Sequence, residues 1–414
     1  MFPSAFSLRR IAEPVRGLVR PGLAAAAFAL LSAAGTFAQT ALEPADGGTD
    51  FKIQGEYSGS IGATPLGVQV IALGTGKFKA VFLPGGLPGQ GWNGTDRIEA
   101  AGTLSGATAS FAGSGYTASI PAEGTSLTGK SDKAVGFTCT KVLRASPTEG
   151  MPAPAGAVVL FDGTDLSAWK DGTASIDARK FMLPKGSSEA SGAVTKQSFR
   201  DFHLHLEFRV PFMPAERGQQ RGNSGVYLQS RDEVQILDSF GNPLDNLTDT
   251  LAAKEECSAF FQYVRPILNA AYPPLSWQTY DIDFIAARFA ADGKTLTSPA
   301  VATVKWNGVL VQDKSLLSYP TLLGDPLGPA PGPLRFQTHG DSVYYRNIWV
   351  LEGNASLRPK APSLRRSRNG ATGDAARVSL MDGRSVRHPR HSACIYTGPE
   401  GSGVRHSLGA TDDF

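Results

Sequence analysis

The chain has 414 residues, 41% of them hydrophobic, which is enough apolar material for ordinary cores and a length that suits two or three domains. Its 47 glycines and 28 prolines, with few long helical periodicities, point to turns and strands and away from a helical bundle. The net charge of +3 is uneven: residues 1–38 carry +3 and residues 354–414 carry +5, so the body is at about −5 and has no nucleic-acid footprint.

Residues 1–38 read as a signal peptide. Arginines precede an apolar run from Leu23 to Ala34 that is too short for a membrane span, and Thr36-Phe37-Ala38 puts small residues at the cleavage positions. The mature protein is expected to begin near Gln39, to lie in the periplasm or outside the cell, and to have no membrane attachment after cleavage. Cys139, Cys257 and Cys394 are scattered, with no CxxC or Cys/His spacing, so neither a zinc site nor a disulfide framework is predicted.

Residues 51–145 are short alternating runs punctuated by Gly, the pattern of a β-meander, and are expected to form a smaller accessory β-rich domain. Trp92, in the Gly-rich stretch 85–93, reads more readily as a core indole than as a sugar platform. Residues 146–156, with Pro147, Pro152 and Pro154, are predicted to be an extended linker.

The main domain is expected over residues 157–353. In residues 202–210 the alternation puts Phe202, Leu204, Leu206, Phe208 and Val210 toward a core and His203, His205, Glu207 and Arg209 on the opposite face. Residues 221–238 (RGNSGVYLQSRDEVQILD) hold two alternating runs around a polar turn, the pattern of a β-hairpin. Val226, Leu228, Val234 and Ile236 would face the core, leaving Asn223, Tyr227, Glu233 and Gln235 on the open side, where amides, a phenol and a carboxylate suit sugar hydroxyls. A solvated outer face of an antiparallel sheet gives the same pattern. Residues 244–263 read as the one helical stretch, capped by Thr248 and Asp249. Asn307-Gly308 marks a tight hairpin turn. Arg335 and Gln337 share one face of a strand that ends at His339, beside Gly340-Asp341, where a loop can expose the imidazole.

Four ordered segments carry a resemblance: VVLFDGTDLSAWK at 158–170, FHLHLEFRV at 202–210, NSGVYLQ with DEVQILDS at 223–239, and GPLRFQTHGDSVYYRNIWV at 332–350. Together they resemble the 3-keto-disaccharide hydrolase-like domain family. The resemblance implies an all-β concanavalin-like jelly-roll sandwich whose concave sheet face takes carbohydrate. It also implies a glycosidic-bond hydrolase or lyase acting on 3-keto-glycosides or related disaccharides by acid–base chemistry. Thr338 stands where the family commonly has Asp, which leaves Asp341 as the nearest carboxylate to orient His339.

On this reading the catalytic candidates are His339 as base or acid, Glu207 or Glu233 as its partner, and Arg209 as enolate stabiliser. Asn223, Tyr227, Gln235, Asp238, Gln337 and Asp341 are the candidates for binding a carbohydrate or keto-sugar. No cofactor is required; a divalent metal ion held by His, Glu and Gln to polarise the ketone ranks below a metal-free site, because no ligand spacing demands it. Two other classes stay open: an ordinary glycoside hydrolase with Glu207 and Glu233 across the scissile bond, and a non-catalytic carbohydrate-binding protein. Residues 354–414, rich in Arg, Ser and Gly and poor in large apolar residues, are predicted to be a disordered basic tail.

Overall fold

In the computed structural model, which describes residues 40–244 and 250–353, the Gly-punctuated runs after residue 54 close into a barrel. The expected signal peptide and basic tail lie outside the described residues, as do Thr248 and Asp249. Eight antiparallel strands follow one another from Gly55–Ile61 to Gly136–Val142, and the last returns to pair with the first, Ser58 opposite Thr140. The smaller β domain is thus a closed barrel, which removes the two exposed edges that an open meander would leave. Tyr57, Val68, Phe78, Phe82, Phe111 and Phe137 fill its interior. So small a barrel needs close strand approach: a Cβ added at Gly59 would fall 2.1 Å from the Thr138 carbonyl oxygen.

Strands Thr64–Gly74 and Lys77–Pro84 are apolar on both faces, and the structure uses both. Val68 and Phe82 point into the barrel, while Ile71, Val81 and Leu83 join the core of the second part of the molecule. Polar contacts reinforce this seam. Arg144 donates to the buried Glu56 carboxylate at 2.6 and 2.5 Å and stacks on the Tyr272 ring at 4.6 Å.

The second part is a sandwich of two antiparallel sheets. The larger runs Ala174–Ile176, Met182–Pro184, Tyr344–Glu352, Phe202–Arg209, Gln278–Ile285, Ala300–Trp306, Val309–Leu317, with Val158–Phe161 also paired to Tyr344–Glu352. The smaller runs Gly192–Phe199, Gly332–Gln337, Ser224–Leu228, Asp232–Ile236. Leu204, Leu206 and Phe208 from the larger sheet meet Val226, Leu228, Val234 and Ile236 from the smaller in one core. The Asn307-Gly308 turn forms as predicted, with both residues at positive φ (51° and 76°).

Two sequence expectations need correction. Of the helical stretch predicted at 244–263, the described residues contain only the short 3-10 turn Ala252–Glu255, because Phe260 instead bridges to Val234 and Val264 as an extended segment. The proline linker is not a free spacer. Ser146 Oγ lies 2.6 Å from Thr279 Oγ1, Thr148 Oγ1 donates to Asp281 Oδ2 at 2.7 Å, and the Gly150 amide donates to Glu207 Oε1 at 2.5 Å. The prolines do extend the chain, but the polar outer face of the larger sheet supplies acceptors along its length and straps it down.

Candidate active site

The hairpin of the smaller sheet sets the site. Its register places Gly225 opposite Gln235 and Tyr227 opposite Glu233, and Tyr227 also lies opposite Arg335 on the neighbouring strand. With Val226, Val234 and Phe336 buried in the core, the two-residue period of the strands turns Tyr227, Glu233, Gln235, Arg335 and Gln337 to the outer face. Loops carrying Glu189, Gln219, Phe261 and Leu322 rise around that face and leave a pocket of about 240 Å³, also lined by Asn223 and His339.

Glu233 is only 2% exposed, and Gly225 makes that possible: a Cβ there would fall 2.0 Å from Glu233 Oε1. The Tyr227 hydroxyl donates to Glu233 Oε2 at 2.8 Å. Burial pushes the Glu233 acid up to about 8, against the lowering pull of the Tyr227 hydrogen bond and of Arg335, so the group is mostly protonated at neutral pH. Arg335 stacks on the Tyr227 ring at 3.9 Å and donates to the carbonyls of Ala190 at 3.0 Å and Leu323 at 2.6 Å. It thereby ties two of the surrounding loops to the floor of the pocket.

His339 Nε2 lies 3.0 Å from Glu189 Oε1. The carboxylate that Thr338 fails to provide thus arrives from another loop. Sequence reasoning missed Glu189, which sits in an unpatterned Ser/Gly-rich stretch with no periodicity to aim it. Asp341 accepts from the backbone N–H of Asn223 at 2.7 Å, and burial raises its acid above the usual value. Gln235 Nε2 and Asn223 Nδ2 both donate to Gln219 Oε1, at 2.9 and 3.0 Å. The side-chain oxygens of Asn223 and Gln337 are buried with no protein partner, as acceptors for ligand hydroxyls would be.

His339, Glu233, Asn223, Tyr227, Gln235 and Gln337 therefore line one pocket, with Asp341 hydrogen-bonded behind Asn223. Glu207, Arg209 and Asp238 are elsewhere. Glu207 and Arg209 do share a face, as their spacing requires, but it is the outer face of the larger sheet, and the sandwich core lies between it and the pocket. Nor do the two pair with each other. Glu207 is bonded to Arg346 Nε at 2.6 Å and Asn347 Nδ2 at 2.8 Å, while Arg209 reaches Glu43 Oε1 at 2.7 Å. Burial alone would raise the Glu207 acid; His205, Asn347, Gly150 and Arg346 outweigh it and hold the carboxylate ionised. Asp238 pairs with Arg221 at 2.6 Å, both buried, where Arg221 also reaches the Ala72 carbonyl of the barrel. The pair named for an ordinary two-carboxylate hydrolase, Glu207 with Glu233, is thus split between the two outer faces. Among the described residues no three His, Cys, Asp or Glu side chains are grouped as a metal site needs.

None of the curated proteins matches the chain. A solved structure from Parabacteroides distasonis, described as a candidate glycosyl hydrolase, is 33% identical, covering 49% of this chain and 86% of its own, with a TM-score of 0.42. A second of the same description and organism is 18% identical, covering 51% of this chain and 99% of its own, with a TM-score of 0.33. Residues 156–351, which hold every residue of the pocket, match the model of the 3-keto-alpha-glucoside-1,2-lyase-like domain, and through them the chain belongs to that family.

Proposed function

We propose that the pocket is a carbohydrate-active site that breaks the bond at carbon 1 of glycosides already oxidised to a ketone at carbon 3, in an exported protein whose sandwich has the jelly-roll order of concanavalin-like folds. The observation that carries this reading is a single polar pocket containing a carboxylate-paired histidine and a carboxyl group kept protonated near neutral pH. A ketone at carbon 3 acidifies the hydrogen on carbon 2, so one base and one hydrogen-bond donor suffice where an unactivated glycosidic bond needs two carboxylates.

With Glu189 on Nε2, the basic nitrogen of His339 is Nδ1. It takes the carbon-2 proton, and the electron pair forms the enolate, whose oxygen is stabilised by the protonated Glu233. The enolate then re-forms the ketone and a carbon 1–carbon 2 double bond, expelling the carbon-1 substituent, which leaves with the proton from His339. Water adding across that double bond gives the free 3-keto sugar, so the sum is a hydrolysis. Asn223, Gln235 and Gln337 hold the ring through its hydroxyls. Arg209, assigned to the enolate from sequence, has no part here, and Glu233 takes its place.

The test is to incubate purified protein with 3-keto and unoxidised disaccharides in deuterated water, with and without a chelator. Release from the oxidised substrate alone, with deuterium entering at carbon 2, is the expected result. Release from intact disaccharides would replace this reading with ordinary glycoside hydrolysis, and binding without release would replace it with a carbohydrate-binding role.

A further inference from the structure

We propose that the mouth of the pocket is a subsite for an apolar aglycone, so that keto-glycosides carrying a larger hydrocarbon group on the carbon-1 oxygen are preferred. The inference rests on the reading of the pocket as a keto-glycoside site and names the substrate class within it.

A cavity of about 240 Å³ is below the 300–1,000 Å³ typical of sites that enclose a drug-sized ligand, so one sugar ring occupies the floor and its substituent must lie at the mouth. Floor and mouth differ in chemistry. The sheet presents the amides of Gln235 and Gln337 with Asn223 beside them, whereas the surrounding loops add an apolar edge of Phe261, Leu322 and Leu323 next to the polar Glu189, Gln219 and Gln220. Gln262 and Glu255 also stand there, but they bond to each other at 2.8 Å.

Single exposed leucines are ordinary. These two are consecutive, 52% and 41% exposed, and held in place by the site itself: the Leu322 carbonyl lies 3.1 Å from the Tyr227 hydroxyl, sharing its one proton with Glu233, and the Leu323 carbonyl accepts from Arg335 at 2.6 Å. Leu323 also adopts φ 61°, a left-handed conformation unfavourable for a side chain of its bulk. Apolar exposure and backbone strain both cost stability, and both fall on the rim of one polar pocket. A sugar laid against the leucine edge would set its hydroxyls on hydrocarbon, whereas a benzyl or alkyl group there would bury the leucines.

Benzyl and methyl 3-keto-glucosides test this, because their alkoxide leaving groups are of similar basicity and differ mainly in apolar surface. The expected result is a kcat/KM about 10- to 100-fold higher for the benzyl compound. In the double variant Leu322→Ser, Leu323→Asn that ratio should fall to near one; Asn tolerates the left-handed backbone, and a ratio is insensitive to the folded fraction. Equal kcat/KM for the two compounds in the native protein, or a benzyl preference that survives the double variant, overturns the subsite while leaving the keto-glycoside reading intact. Turnover of neither compound overturns that reading and the subsite with it.

Discussion

Glu207 and Glu233, the two acids that alternation in the sequence turns away from the core, stand on opposite outer faces of one sandwich, with Leu206 and Val234 in the shared core between them. One is held ionised by Arg346, Asn347 and the strapped segment, the other protonated by burial. Their substitution should separate stability from chemistry. Glu207→Ala removes one of two carboxylates from Arg346, which keeps Glu149, and from His205, which keeps Asp281, and is expected to cost about 1–3 kcal/mol in denaturant unfolding, with turnover per folded molecule nearly unchanged. A variant as stable as the native protein but inactive would return Glu207 to the mechanism.

His339→Gln should lower turnover on a 3-keto-glycoside by about two to four orders of magnitude while leaving folding and substrate binding nearly intact. Glu189→Gln should lower turnover by less, because it removes the partner of the imidazole and not the imidazole. The Glu189 side chain is 63% exposed, so its thermal midpoint should not move. Native turnover in His339→Gln would remove this residue from the reaction.

The all-β character of the chain and the identity of the hairpin were legible because strands with one buried face write a two-residue period into the sequence, and each of Val226, Val234, Leu206 and Phe336 occupies the core position that period assigns. Period alone says which residues share a face of one strand; it does not say which sheet the strand enters. That is why Glu207 and Arg209 were grouped with Glu233. Asp238 was misplaced for another reason: it lies just past the strand end, where alternation no longer applies and Arg221 from the preceding loop captures it. The strapped segment 146–151 looks from its prolines like a spacer, since its fixation depends on acceptors from strands more than fifty residues away.

Stability and turnover should both report the protonation of Glu233. Its acid is raised from 4.5 to about 8 in the folded protein, so the native state holds the proton more tightly than the unfolded chain. The associated stability is fully present below pH 4.5 and is lost as pH rises through about 8. The thermal midpoint of the native protein should therefore fall more between about pH 5 and 9 than that of Glu233→Gln, whose amide carries no charge to bury. Native turnover should decline over the upper part of the same window, as the donor to the enolate is lost. An identical pH dependence of stability in the two proteins would show that Glu233 does not titrate in this range.

Gly225 links the sequence motif to the chemistry most directly. A methyl group at this position meets Glu233 at Oε1 (2.0 Å), Cδ (2.8 Å) and Cγ (3.0 Å), all of them toward the end of a flexible side chain and none of them backbone. The carboxyl group should swing aside before the strands part, breaking its bond to Tyr227 and leaving the sheet paired. Gly225→Ala is thus expected to cost no more than about 1–3 kcal/mol, the usual range for overpacking, while lowering turnover about as much as Glu233→Gln does. The double variant Gly225→Ala, Glu233→Gln should be hardly worse than either single one, because both act on the same carboxyl group. Additive losses in turnover would mean that Gly225 serves the site by some route other than the room it leaves for Glu233.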